Sequence, residues 1–192
     1  MARSFTETEK DHIREKLIIE CEKNWALFGY KKTSIDELCM RVGISKGAFY
    51  FFFDSKEQLF CHVLDICQER IINLITGGIS TSSSKESVCQ ILKQVYQEYN
   101  NTNILTQRNN PDFINFLNKA PQDWKEKSKV ISDHFIADTL FNASLQLKMS
   151  KEKAIGIFNA LLSIALSKDL LGYDHFDVFG TLLDSVIHEI YD

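Results

Sequence analysis

The chain has 192 residues, long enough for one large or two small domains, since domains usually run to about 100 to 150 residues. With 44% hydrophobic and 25% charged residues, it lies far from the composition of disordered chains. The net charge of −4 argues by itself against a nucleic-acid partner, because DNA-binding domains often carry a strongly basic balance.

Two prolines and eight glycines are sparse punctuation, and apolar residues recur at three and four rather than at two. Both features predict helices nearly throughout: an all-α chain of about nine helices. The N-terminus lacks the apolar run of a secretory signal, and no apolar stretch approaches membrane-spanning length. The five cysteines fall in helical apolar patterns without a C-x-x-C pair, which fits reduced core thiols in a cytoplasmic protein without a membrane partner.

In chain order, Thr6 with Glu9 forms a capping box for a first helix, whose face carries Ile13, Leu17, Cys21, Trp25 and Phe28 and which Gly29 ends. Thr33 and Ser34 cap a second, with Ile35, Leu38, Cys39 and Val42 buried, and Gly43 stops it after barely two turns. Ile44 is an apolar plug. Ser45 caps a third helix running to about Phe52; Asp54 and Ser55 break the run, and Ser55 caps a fourth that carries apolar positions to Gly77 and Gly78. Gly77 to Ser84 reads as a surface loop.

Helical patterns resume with Val88 to Tyr99 and fade over Asn100 to Asn110. Pro111 opens a short helix that Pro121 closes. A long helix is expected over Gln122 to Lys148, then one from the Ser150 cap, ending in the region of Gly172, and a last one capped by Asp174. The last two have wide apolar faces, which predicts cover from both the body and a partner chain.

A helix-turn-helix needs two short helices, a glycine-containing turn and a second helix whose outer side chains reach base edges. Residues 34 to 53 meet these conditions: Gly43 permits the turn, Ser45 caps the recognition helix, and Gly47 removes a side chain where backbone and DNA approach closely. The helix starts at Thr33, Ser45 and Lys56 turn N–H groups toward phosphates. Charge gives little help: residues 1 to 56 hold ten Lys and Arg against nine Asp and Glu, and the remainder twelve against seventeen.

The run from Thr33 to Phe60, with Val-Gly-Ile-Ser-Lys-Gly at its turn, Phe-Gly-Tyr before it and Phe-Asp-Ser-Lys-Glu-Gln-Leu-Phe after it, resembles the DNA-binding signature of TetR-type regulators. The likeness covers roughly residues 8 to 75. It implies a DNA-binding domain over 1–56 and a helical effector-binding and dimerisation domain over 57–192. By the same likeness, Thr33 and Ser34 hold phosphate and Tyr50 and Lys56 clamp the backbone, while Ser45, Lys46, Gly47, Ala48 and Phe51 face the bases. Lys46 suits guanine and the Ala48 methyl suits thymine. Phe51 and Phe52 depart from the Tyr or His common at these positions: either apolar contact or DNA shape carries more of the readout here, or Phe52 is core, the favoured reading, with Phe51 outward against a thymine methyl or a sugar face.

The resemblance further implies a homodimer on palindromic double-stranded DNA, a repressor released by a small-molecule effector. An activator, or a regulator controlled by a protein partner, stays open. Expected dimer residues on the last two helices are Phe158, Leu162, Phe179, Leu183 and Val186. Ligand candidates are the aromatic Tyr96, Phe113 and Trp124 and the polar His62, His134 and Asn142, which sit inside apolar stretches and need partners if buried. No clustered nucleophile and base, metal-ligand spacing or phosphate-cradling loop is present, so neither catalysis, a metal nor a cofactor is expected.

Overall fold

The computed structural model describes residues 5–79, 84–107, 110–128 and 145–192. Among these lie nine α-helices: α1 (Glu7–Lys32), α2 (Ile35–Val42), α3 (Lys46–Phe49), α4 (Lys56–Ile79), α5 (Lys85–Thr102), α6 (Pro111–Lys119), α7 (residues 122–128), α8 (Lys151–Leu166) and α9 (His175–Ile190). Short 3-10 turns stand at Leu105–Gln107 and Lys168–Leu170. The expected all-α class is what the described residues show; their one β feature is an isolated bridge between Leu147 and Tyr191.

Local chemistry sets most helix ends. Thr6 accepts from the Glu9 N–H while the Glu9 carboxylate accepts from the Thr6 N–H, a complete capping box. Ser34, Ser45, Ser55, Ser150 and Asp174 each accept from a backbone N–H two or three residues on. Asn110 caps α6 the same way, with Pro111 at its first position, where no N–H is missed.

The chain folds as two compact units, one of residues Met1–Cys67 with Thr102–Glu126, the other of Gln68–Asn101 with Lys127–Asp192. In the first unit, Trp25 of α1 is fully buried among Phe60 of α4 and Phe113 and Phe116 of α6, with ring centres 4.6, 5.8 and 5.0 Å away. Tyr30 meets Phe60 edge-on at 5.1 Å, and Trp124 of α7 donates to both carboxylate oxygens of Asp65 at 2.9 and 3.0 Å. Such tilted aromatic pairs add about 0.5–1.5 kcal/mol beyond area burial. In the second unit, Tyr96 of α5 stacks on Phe179 of α9 at 3.9 Å and shares a 2.9 Å hydrogen bond with Nδ1 of His175.

Three sequence expectations change. Gly77 and Gly78 belong to the last turn of α4 rather than to a loop, and a Cβ on Gly78 would stand 2.4 Å from Cγ1 of Ile91, so glycine there lets α4 and α5 close up. The helix expected over 122–148 does not reach its predicted end: residues 145–149 are non-helical, and the Lys148 N–H donates to the Ile190 carbonyl. Gly29 breaks α1 with φ of +82°, yet a final helical turn follows it to Lys32. All five cysteines are buried thiols outside any disulfide, and no helix among the described residues is long and apolar enough to cross a membrane.

Candidate nucleic-acid interface

The helix-turn-helix is built from α2, α3 and the turn between them. Leu38 and Cys39 bury the inner face of α2. Gly43 then enters the left-handed region at φ +81°, ψ +33°, and the N–H groups of Gly43 and Ile44 both reach the Cys39 carbonyl, at 2.9 and 3.0 Å. The chain can therefore turn without orphaning the carbonyls at the end of α2. Ser45 caps α3, which is shorter than expected: the helix ends at Phe49, the N–H groups of Phe51 and Phe52 close i→i+3 bonds to Ala48 and Phe49, and the Phe53 N–H also reaches the Phe49 carbonyl.

This geometry sorts the run of aromatics. Phe49, Phe52 and Phe53 are buried, whereas Tyr50 is 50% and Phe51 81% exposed. Ser45, Lys46 and Gly47 are also exposed and Ala48 is half-buried, so one outward row carries Ser45, Lys46, Gly47, Tyr50 and Phe51. Lys46 donates to Asp36 of α2 at 2.9 Å on an exposed surface, and this hydrogen bond, with the charge of Asp36, raises the lysine pKa. Arg41 pairs with Glu37 at 2.8 Å.

Two of the expected phosphate contacts are turned inward. Thr33 is only 1% exposed, and both its hydroxyl and its N–H donate to the Gly29 carbonyl, at 2.8 and 3.3 Å. The Lys56 ammonium donates to the Tyr30 carbonyl and lies over the Tyr30 and Phe60 rings at 4.2 and 5.2 Å; its burial there lowers its pKa. Ser34 is exposed and spends only an acceptor site on Glu37, so its hydroxyl proton stays available.

Sequence reading missed what braces this head. The carboxylate of Asp112, at the start of α6, accepts from the Lys31 N–H at 3.1 and 3.2 Å, and a Cβ on Gly29 would approach its Oδ2 to 2.3 Å. Asn103 donates to the Ala26 carbonyl at 3.1 Å. Both links span about eighty residues, and no local pattern signals them.

The other expected residues scatter. His62 is exposed, with its ring 6.1 Å from Phe53; Phe113 and Trp124 belong to the aromatic packing of the first unit; Tyr96 is buried in the second. His134 and Asn142 lie outside the described residues. Phe158, Phe179 and Leu183 are buried within the single chain, whereas Leu162 and Val186 are half-buried and the neighbouring Leu182 is 43% exposed. Among the described residues, no group of three or more His, Cys, Asp and Glu side chains could hold a metal ion.

Residues 23–63 match the family model described as bacterial regulatory proteins, tetR family. That segment, which holds α2, α3 and the turn between them, is similar in sequence to the tetR family. A similar curated protein is the HTH-type transcriptional regulator YuxN of Bacillus subtilis, 37% identical over 91 residues, or 45% of this chain and 31% of that one. The chain thus spans about a third of that relative's length in the match. Among solved structures, a TetR-family regulator from Mesorhizobium loti superposes with a TM-score of 0.71 at 18% identity, covering 95% of this chain and 96% of that one. FadR of B. subtilis in complex with stearoyl-CoA superposes with a TM-score of 0.65 at 14% identity, covering 92% and 98%. At such identities the tetR likeness of the whole chain is one of fold; that of residues 23–63 is one of sequence as well.

Proposed function

We propose that this protein is a transcriptional repressor that binds a palindromic operator as a homodimer and is released by a small-molecule effector. The observation that carries the reading is the outward row Ser45, Lys46, Gly47, Tyr50 and Phe51, held by the Gly43 turn on a buried aromatic floor. Lys46 exchanges Asp36 for a guanine edge, the Ala48 methyl and the Phe51 ring offer apolar contact to thymine methyls, and Ser34 and Tyr50 donate to phosphates. Thr33 is better assigned to the end of α1, because both its donors are spent on Gly29.

Residues 1–56 are the proposed DNA-contacting domain and 57–192 the effector and dimer domain, with cytoplasmic action part of the same proposal. FadR with its stearoyl-CoA supports a helical domain of this fold that takes a small organic molecule. His134 and Asn142 keep the effector role that their polar character in an apolar setting suggests. The effector favours a spacing of the two heads that no longer matches successive major grooves, and α4, which starts in one compact unit and ends in the other, transmits it. Because Phe158, Phe179 and Leu183 serve the chain's own core, the dimer contact is assigned to Leu162, Leu182 and Val186.

Selection of bound duplexes from random DNA tests the reading. Enrichment of one inverted repeat, lost in Tyr50→Ala, is expected; recovery of no preferred sequence refutes it.

A further inference from the structure

Phe51, Phe52 and Phe53 at the end of the recognition turn line a surface notch of about 380 Å³ together with Arg14 of α1 and Gln58 and His62 of α4. We propose that this notch seats the DNA backbone beside the recognition turn, with Arg14 as the phosphate contact and His62 as a second donor. The proposal rests on the DNA-binding reading above.

The chemistry of the notch points to a sugar-phosphate. Arg14 is exposed, its guanidinium carbon 5.1 Å from the centre of the Phe53 ring. Stacking occupies the face of a guanidinium and leaves the N–H donors around its edge for an anion. Among the described residues no carboxylate pairs with Arg14, in contrast to Arg41 and Lys46, whose charges are answered within the head. His62, on the other side of the notch, places its ring 6.1 Å from the same Phe53. Phe51 stands at 81% exposure on the rim, where the notch adjoins the outward row proposed to face the bases.

The notch also holds an opposing charge, Asp54, which is tied to the start of α4: its N–H donates to Oε1 of Gln58 at 2.6 Å, and its carboxylate accepts from the Gln58 amide at 3.0 Å. A phosphate therefore sits toward Arg14 and His62, and removing the Asp54 charge should tighten it.

The test is binding of the full chain to a random-sequence 30-base-pair duplex, followed by fluorescence anisotropy between about 50 and 200 mM salt. Arg14→Gln keeps most of the stem on Phe53 and should lower the salt slope by about one, with the same fold loss on any duplex sequence. Arg14→Lys should keep the slope, His62→Gln should weaken binding less, and Asp54→Asn should strengthen it. A wild-type slope in Arg14→Gln overturns the proposal and leaves the DNA-binding reading intact. A slope lost equally in Arg14→Lys overturns it too, since packing rather than charge would then be at work. If the wild-type chain binds no duplex at all, the DNA-binding reading falls and takes the notch with it.

Discussion

The Lys56 ammonium donates to the carbonyl of Tyr30 at 2.5 Å and lies 4.2 Å from the centre of the same residue's ring. One side chain thereby fastens the start of α4 to the last turn of α1, while the Tyr30 hydroxyl donates to Glu57 on that same start. Lys56→Met is expected to destabilise the fold by about 1–2 kcal/mol, through loss of a charge-assisted hydrogen bond and a cation–π contact at a half-buried site. Urea denaturation measures this. Unchanged stability with a salt slope reduced by one would return Lys56 to direct phosphate contact.

Phe51 and Phe52 should separate binding from folding. Phe52→Ala removes a buried ring and is expected to cost about 3 kcal/mol or more of stability. Phe51→Ala should leave the thermal midpoint within a degree or two and weaken operator binding selectively. Paired melting curves and operator titrations decide it, and a large stability loss in Phe51→Ala would show that its exposure misleads.

At Gly29 a side chain meets two obstacles, a positive φ and the Asp112 carboxylate. Gly29→Ala is expected to cost about 2 kcal/mol or more. Asp112→Ala, which frees the space but abandons the Lys31 N–H, should cost less, and the double variant should cost less than the sum. Strict additivity in a double-mutant cycle would mean that the two positions do not share the clash.

Leu182→Glu should yield a folded monomer with weak operator affinity, because Leu182 is 43% exposed on α9. Leu183→Glu, one position on and fully buried, should instead unfold the chain. Sedimentation together with circular dichroism separates these outcomes, and a tight dimer in both Leu182→Glu and Leu162→Glu would place the contact elsewhere.

Alkaline pH should destabilise the protein. Burial pushes the Cys61 thiol from its ordinary 9.0 up to about 12 and the Cys89 thiol up to about 11. Between pH 9 and those values the unfolded chain has released protons that the folded chain keeps, so stability is full below about pH 9 and falls above it, by up to about 1.4 kcal/mol per pH unit per thiol. Denaturation at pH 8 and pH 10 checks the sign. Cys89→Ala should show a shallower fall, and an identical slope would acquit that residue.

What could be read from the chain was what neighbours in sequence decide. Thr6 with Glu9, Ser34, Gly43, Ser45, Ser55 and Asp174 act within four residues of themselves, and each stands where its chemistry requires. Direction was harder. Nothing beside Lys56 tells that its donor turns toward Tyr30, because that follows from how α1 meets α4; the Thr33 bonds to Gly29 are local, but they close α1 instead of leaving donors at the start of α2. The glycines at 77 and 78 look like a loop until Ile91 is seen to fill the space one of them leaves. Periodicity placed Phe158, Phe179 and Leu183 on apolar faces correctly, but a period cannot say whether such a face is covered by its own chain or by another.

The link from Asp112 back to Lys31 also has a consequence for synthesis. The first compact unit is assembled from two separate stretches, and the rings that enclose Trp25 include Phe113 and Phe116. A nascent chain that has emerged only as far as α4 holds every residue of the recognition turn but lacks the wall that buries that tryptophan. At about 5–20 residues per second, several seconds pass before α6 leaves the ribosome. A DNA-reading head cut from this chain at residue 67 would keep that unfinished state for good.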